Sequence, residues 1–243
     1  MPGETPDYHR LSASAIRYPV TDLGELAARL GALPSSDRRG DVSFLDSFES
    51  GLGAWLTSTV GSGSIAALSL LNAKTGRFSA LLDPAAVASS SAAIQRRVPL
   101  PPATVIGVEF SLQFRSNVER VELTITRFSG SFLANWGLRF DDANDRIEYL
   151  NSAGTWTLLV SGVGPLSLVG TWHSLKLVAD IDSAQYVRAI VDETEYSLLA
   201  VDAEVAANVT APSLVIAIFC YGSVGNGGAV LVDDVIFTEN EPA

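Results

Sequence analysis

The chain has 243 residues, 47% hydrophobic and 18% charged, which supplies a sizeable core and excludes global disorder. A net charge of -11 excludes a nucleic-acid partner, which needs a basic face. One cysteine, Cys220, excludes an intrachain disulfide; no apolar stretch reaches transmembrane length, and the start shows no signal peptide, so no membrane partner is expected.

Residues 1–41 differ from the rest. Met1 to Pro19 is polar and proline-punctuated, without periodicity. From Thr21 to Gly31, Leu23, Leu26, Ala27 and Leu30 recur at i, i+3, i+4, i+7, which predicts a short helix over about residues 21–31. Thr21 or Asp22 caps its start and Gly31 stops it. A helix this short is marginal alone in water, so the Leu23, Leu26, Leu30 stripe must dock. Its surface is either the chain's own β domain or another subunit or assembly. Residues 33–40 read as a linker.

Residues 42–243 read as one β domain. Strands are expected at Ser43–Phe48, Ser64–Leu71, Phe78–Leu82 and Ala92–Val98. Val105 to Arg115 alternates: Ile106, Val108, Phe110, Leu112 and Phe114 share one face, while Glu109, Ser111, Gln113 and Arg115 share the other. Val118 to Phe128 repeats the scheme. A meander then runs through Phe132–Phe140, Arg146–Leu150 and Thr155–Val160, with turns at Asp141–Asp145 and Asn151–Gly154. Strands at Thr171–Ile181, Tyr186–Asp192, Glu195–Val201, Ser213–Tyr221 and the closing run Gly228–Thr238 complete the pattern. Many short strands with Gly, Asn and Asp turns indicate an all-β sandwich or jelly roll. In the closing run, Asp233 and Asp234 interrupt β-branched residues, so one carboxylate must face inward and needs a partner.

Asp46-Ser-Phe-Glu-Ser-Gly-Leu-Gly-Ala-Trp55 resembles the opening of jelly-roll carbohydrate-binding modules. Thr75-Gly-Arg-Phe-Ser79 resembles their next signpost, and Val232-Asp-Asp-Val235 their last strand. Gly170-Thr-Trp-His-Ser-Leu-Lys-Leu-Val178 is similar to the long strand of concanavalin-like and laminin-G sandwiches. The resemblance implies a jelly-roll (concanavalin-like) β-sandwich over about Val42 to Thr238. It also implies a structural Ca2+ held by Glu49 and Asp233 or Asp234; the alternative is a hydrogen-bond network without metal. The amino-terminal arm departs from those modules. An arm, a docking helix and a jelly roll together resemble bacteriophage virion proteins that decorate capsids or tails.

Catalytic constellations are missing. No zinc motif occurs, and a Ser-His-Asp triad would have to use His9, in the arm, or His173, inside a strand. Asp192-Glu-Thr-Glu195 straddles a turn and departs from the glycosidase pattern. Sugar sites use exposed aromatic faces beside polar groups, and Trp136, Arg139, Tyr149 and Trp156 are the candidates, with core packing the alternative for each tryptophan. The leading expectation is a non-enzymatic structural or attachment protein on a phage virion, anchored by its arm, with a homo-oligomer or virion proteins as partners. The alternative is a carbohydrate-binding module for a surface glycan, placed outside the cell or at its surface; a sandwich glycosidase comes third.

Overall fold

The computed structural model describes residues 37, 39–163, 169–225 and 227–242. The strands in chain order are β1 (Asp41–Asp46), β2 (Leu56–Val60), β3 (Ile65–Ser69), β4 (Ser79–Asp83), β5 (Ser90–Val98), β6 (Val105–Phe114), β7 (Arg120–Phe128) and β8 (Phe132–Asp141). They continue as β9 (Arg146–Leu150), β10 (Trp156–Ser161), β11 (Trp172–Asp180), β12 (Gln185–Val191), β13 (Thr194–Ser197), β14 (Glu204–Ala207), β15 (Ser213–Gly222) and β16 (Val230–Glu239). Among the described residues the helical content is one 3-10 turn, Asp142–Asn144. The expected helix at 21–31, with Leu23, Leu26 and Leu30, lies outside the described residues.

The strands form two antiparallel sheets. One runs β13-β12-β11-β6-β16-β4-β3, with β1 also pairing β16; the other runs β10-β9-β8-β7-β15-β5-β2, with β14 also pairing β8. Alternation decides which residues lie between them. Ile106, Val108, Phe110, Leu112 and Phe114 of β6 face Val121, Leu123 and Ile125 of β7 and Trp136, Leu138 and Phe140 of β8 across one core. Phe114 and Phe140 meet edge to face at 5.2 Å. Two polar ties join the layers: Trp136 Nε1 donates to the Gln185 carbonyl at 3.1 Å, and the Tyr186 hydroxyl accepts from Gly137 N and donates to Leu150 O, each at 2.7 Å. The chain is a jelly-roll β-sandwich, as its alternation implied.

Two strands were not evident in the sequence. In β2 every residue is exposed, and β14 is a four-residue strand, mostly exposed, pairing with β8 alone. Edge strands with no buried face carry no clean alternation.

Candidate functional site

The closing strand β16 lies inside its sheet, between β6 and β4. Its ladder slips between Asp233 and Ile236, where Asp234 takes a left-handed φ of 51°. This bulge lets Val232 and Val235 both reach the core. It also corrects the simple alternation, in which one aspartate faces water: both are buried. Asp233 Oδ2 accepts from Lys74 N at 2.8 Å and Thr75 N at 3.2 Å; Asp234 Oδ1 accepts from the Thr75 hydroxyl at 2.7 Å. Glu49 grips the same loop two residues on, accepting from Arg77 N at 2.6 Å and Phe78 N at 2.9 Å. Gly76 sits between them with φ of 66°, and a Cβ there would lie 2.3 Å from Glu49 Oε1, so a side chain would be strained and would push Glu49 off its two donors. The three acidic residues thus hold one loop. Asp234 Oδ2 is buried without a hydrogen-bond partner, and burial, then the Asp233 charge, pushes its carboxyl up to about 7.

The outer face of this first sheet is covered. Lys74 Nζ donates to Ser111 Oγ at 2.9 Å and Ser174 Oγ at 3.3 Å, and Asn72 Nδ2 donates to Gln113 Oε1 at 3.0 Å. Farther along, Lys176 is completely buried and pairs with Asp37 at 3.0 Å and Glu241 at 2.6 Å. Arg188 pairs with Glu241 at 2.5 Å. The two ends of the described chain are therefore clamped together over β11 and β12. His173 Nδ1 is 2.8 Å from Asp192 Oδ2.

The outer face of the second sheet is open and built differently. Side chains two apart share a face, so β7 presents Arg120 and Glu122, β8 presents Asp141 and Arg139, and β9 presents Arg146 and Glu148. The register sets Arg120 beside Asp141 beside Arg146, and Glu122 beside Arg139 beside Glu148. Every neighbour, along and across the strands, has the opposite sign. Arg120 bonds Glu122 at 2.7 Å, Arg146 reaches Asp141 and Glu148 at 3.1 Å each, and Arg139 bonds Glu148. Three arginines and three carboxylates on the strands sum to zero, and Glu119, at the rim, also pairs with Arg120.

Aromatic rings bound this checkerboard on both sides. Phe219 and Tyr221 of β15 stack at 5.9 Å, with the Arg120 guanidinium 3.9 Å from the Tyr221 ring centre. Burial, then the Glu122 charge, pushes the Tyr221 phenol up to about 12, so it stays a neutral hydroxyl. At the other side Trp156 of β10 lies against Gly137, where a Cβ would come within 2.8 Å of its Cη2, and Arg139 sits 4.7 Å from its ring centre. All three rings are partly exposed.

Of the four residues singled out for sugar contact, Arg139 and Trp156 share this face. Trp136 is core, and Tyr149 points inward to meet Tyr186 at 5.9 Å. Arg120, Glu122, Asp141, Arg146, Glu148, Phe219 and Tyr221 were not foreseen as a group, because only cross-strand register assembles them.

No family model matches the chain, and no curated protein matches it. Among solved structures it is similar to an endo-β-1,4-glucuronan lyase from the fungus Trichoderma reesei, with 11% identity and a TM-score of 0.56 over 82% of this chain and 96% of that one. It is similar to a carbohydrate esterase from a Shiga toxin-encoding bacteriophage, with 18% identity and a TM-score of 0.56 over 83% and 100%. It is also similar to the lectin UEA-II complexed with galactose, with 10% identity and a TM-score of 0.50 over 83% and 99%. At these identities the likeness establishes the sandwich fold.

Proposed function

We propose that the chain is a non-catalytic carbohydrate-binding module that takes a neutral oligosaccharide across the outer face of the second sheet. The observation that carries this is the zero-sum charge checkerboard between aromatic rings on a chain of net charge -11. A phosphate ligand would want excess arginine and a cation would want excess carboxylate. Partly exposed guanidinium groups, held at fixed spacing by the buried carboxylates Glu122, Asp141 and Glu148, instead offer a row of N–H donors to vicinal hydroxyls. Partly exposed rings offer apolar faces to the C–H side of a pyranose. The Trp156 ring reaches back onto β8, two strand spacings or about 10 Å from β15, a span longer than one sugar ring. The similar lectin complexed with galactose supports a neutral sugar as the ligand.

The test is a glycan array followed by calorimetry on any neutral polysaccharide retained. Trp156→Ala and Tyr221→Ala should each weaken binding about tenfold, as loss of an aromatic anchor does, while the fold persists. A blank array, or full affinity in both variants, would sink the proposal.

A structural Ca2+ beside β16 belongs to the same proposal. The donor chemistry fits a hard cation at one point: Asp234 Oδ2 is a buried carboxylate oxygen with no donor, next to a second carboxylate. Asp234 and Asp233 would hold the ion, and its charge would relieve their mutual repulsion. Glu49 contributes to the loop rather than to a carboxylate cluster, since among the described residues no three metal-ligating side chains converge. Chelator should lower the melting temperature; an unchanged melt with and without calcium removes the ion and leaves the hydrogen-bonded loop.

Attachment to a virion through the arm is the second reading. What favours it is that Asp37, near the end of the arm, is clamped to Lys176, giving the arm a fixed root. Deleting residues 1–36 should abolish association with a larger particle; association that survives the deletion ends this reading.

A further inference from the structure

Lys176 extends from β11 into a closed compartment on the covered face of the first sheet. Its side chain and that of Glu241 have no exposed surface, and that of Asp37 is almost fully buried. Two glycines make the room. A Cβ on Gly107 of β6 would lie 2.8 Å from Glu241 Oε1 and 2.9 Å from Lys176 Cε, and one on Gly40 would lie 2.6 Å from Glu241 Oε1. Keeping an ammonium and a carboxylate out of water is costly, and joining them as a neutral amide removes that cost.

The groups around Lys176 are arranged for such a reaction. Nζ lies 3.0 Å from Asp37 Oδ2 and 2.6 Å from Glu241 Oε1, and it also donates to the Arg39 carbonyl at 3.4 Å. The other Asp37 oxygen, Oδ1, accepts from Arg39 N at 3.2 Å and Arg39 Nε at 2.8 Å. Glu241 is itself held in place: the Thr238 hydroxyl donates to Oε1 at 2.6 Å and Arg188 Nη2 to Oε2 at 2.5 Å. An amine, a carboxyl carbon, two donors on one carboxyl oxygen and a proton acceptor are thus gathered at one buried point.

We infer that Lys176 and Asp37 join in an intramolecular isopeptide bond, with Glu241 as the proton carrier. Burial raises the Asp37 carboxyl, but Arg39 and Lys176 outweigh it and hold it below its usual range, so the pair starts ionised. One proton first passes from Nζ to Oδ2 along their hydrogen bond. The neutral amine attacks Cγ, and the displaced electron pair settles on Oδ1, where the two Arg39 donors receive it. Glu241 Oε1 takes a second proton from the nitrogen and returns it to Oδ2; the Cγ–Oδ2 bond breaks and one water leaves. Nothing is oxidised or reduced. Fixed contact supplies the effective concentration that this condensation needs. In the product the amide N–H keeps the Arg39 carbonyl as acceptor, and the amide oxygen keeps Arg39 N and Nε as donors. The ion pairs of Arg188 with Glu241 and of Arg39 with Glu195 remain.

The experiment is the intact mass of the purified full chain, unfolded in denaturant. The expected mass is one water below that of the sequence. Proteolysis and tandem mass spectrometry should then give a branched peptide joining Asp37 to Lys176. Asp37→Ala should show the full mass of its sequence. Glu241→Gln, which keeps the shape but accepts no proton, should leave most of the chain unlinked while its circular dichroism spectrum stays native. The wild-type mass and the branched peptide decide the bond whether or not a variant folds. A wild-type chain of full mass overturns the inference, and so does a water lost at any other position. A natively folded Glu241→Gln chain that is fully linked removes Glu241 as the proton carrier.

Discussion

The outer faces of the two sheets start from the same sequence pattern and end as opposites. Both are written as polar residues alternating with core residues. On the first sheet Glu109, Ser111, Gln113, Ser174, Lys176 and Arg188 are all buried, under the loop around Lys74 and the clamped chain ends. On the second sheet the arginines of the checkerboard stay partly exposed and their carboxylates pair within the face. The first face spends its polarity on holding the molecule shut; the second buries its carboxylates but keeps its arginines within reach of water. Alternation alone says which side chains leave the core, and not whether water or more protein meets them.

The comparison breaks most sharply at Lys176. Lys176→Met should cost about 3–5 kcal/mol in denaturant unfolding, because it takes one cation from a buried cluster in which only Arg39 and Arg188 remain to face the Asp37 and Glu241 carboxylates. A loss under about 1 kcal/mol would show that the first face is not a true interior. Next comes Asp234. Its pKa of about 7 in the folded chain is above the unfolded value of about 3.9. Between roughly pH 4 and 7 the folded state holds a proton that the unfolded chain has released, so stability should fall as pH rises through that window. In chelator, melting temperature should drop across this range, and Asp234→Asn should flatten the slope; an equal slope in the variant rejects Asp234 as its source. On the open face, Gly137→Ala should push Trp156 and Leu150 aside, costing about 1–3 kcal/mol, and should weaken glycan binding together with stability. Smallest is Arg146→Ala, a half-exposed member of the checkerboard, for which less than about 1 kcal/mol is expected. A larger cost measured by thermal melting would make the checkerboard a stabilising lattice first and a binding surface second.

Much of the fold was legible. Ile106 through Phe114 and Val121 through Ile125 announced both strand and inward face. The signpost from Asp46 to Trp55 folds as a unit: Asp46 accepts from Phe48 N and from Trp55 Nε1, and Phe48 turns inward at a φ of 58°. Some of the site was legible and overlooked. Trp136 and Arg139 are three apart, so on one strand they occupy opposite faces and could not share a sugar. The rest was not there to read. Leu214 to Tyr221 is apolar throughout, so nothing in it says that Phe219 and Tyr221 point outward. Glu49 and Asp233 take backbone N–H groups as partners, and backbone donors carry no sequence signature.

The position of β16 sets a condition on biosynthesis. It is the last of the described strands, yet β6, β4 and β1 all depend on it for pairing. As the polypeptide leaves the ribosome, the second sheet lacks only β15 once β14 is out, whereas the first stays split in three until about residue 239 emerges. A nascent chain arrested before Val230 would therefore present open, apolar strand edges to chaperones, and emergence of β16, rather than synthesis of the earlier strands, would trigger closure.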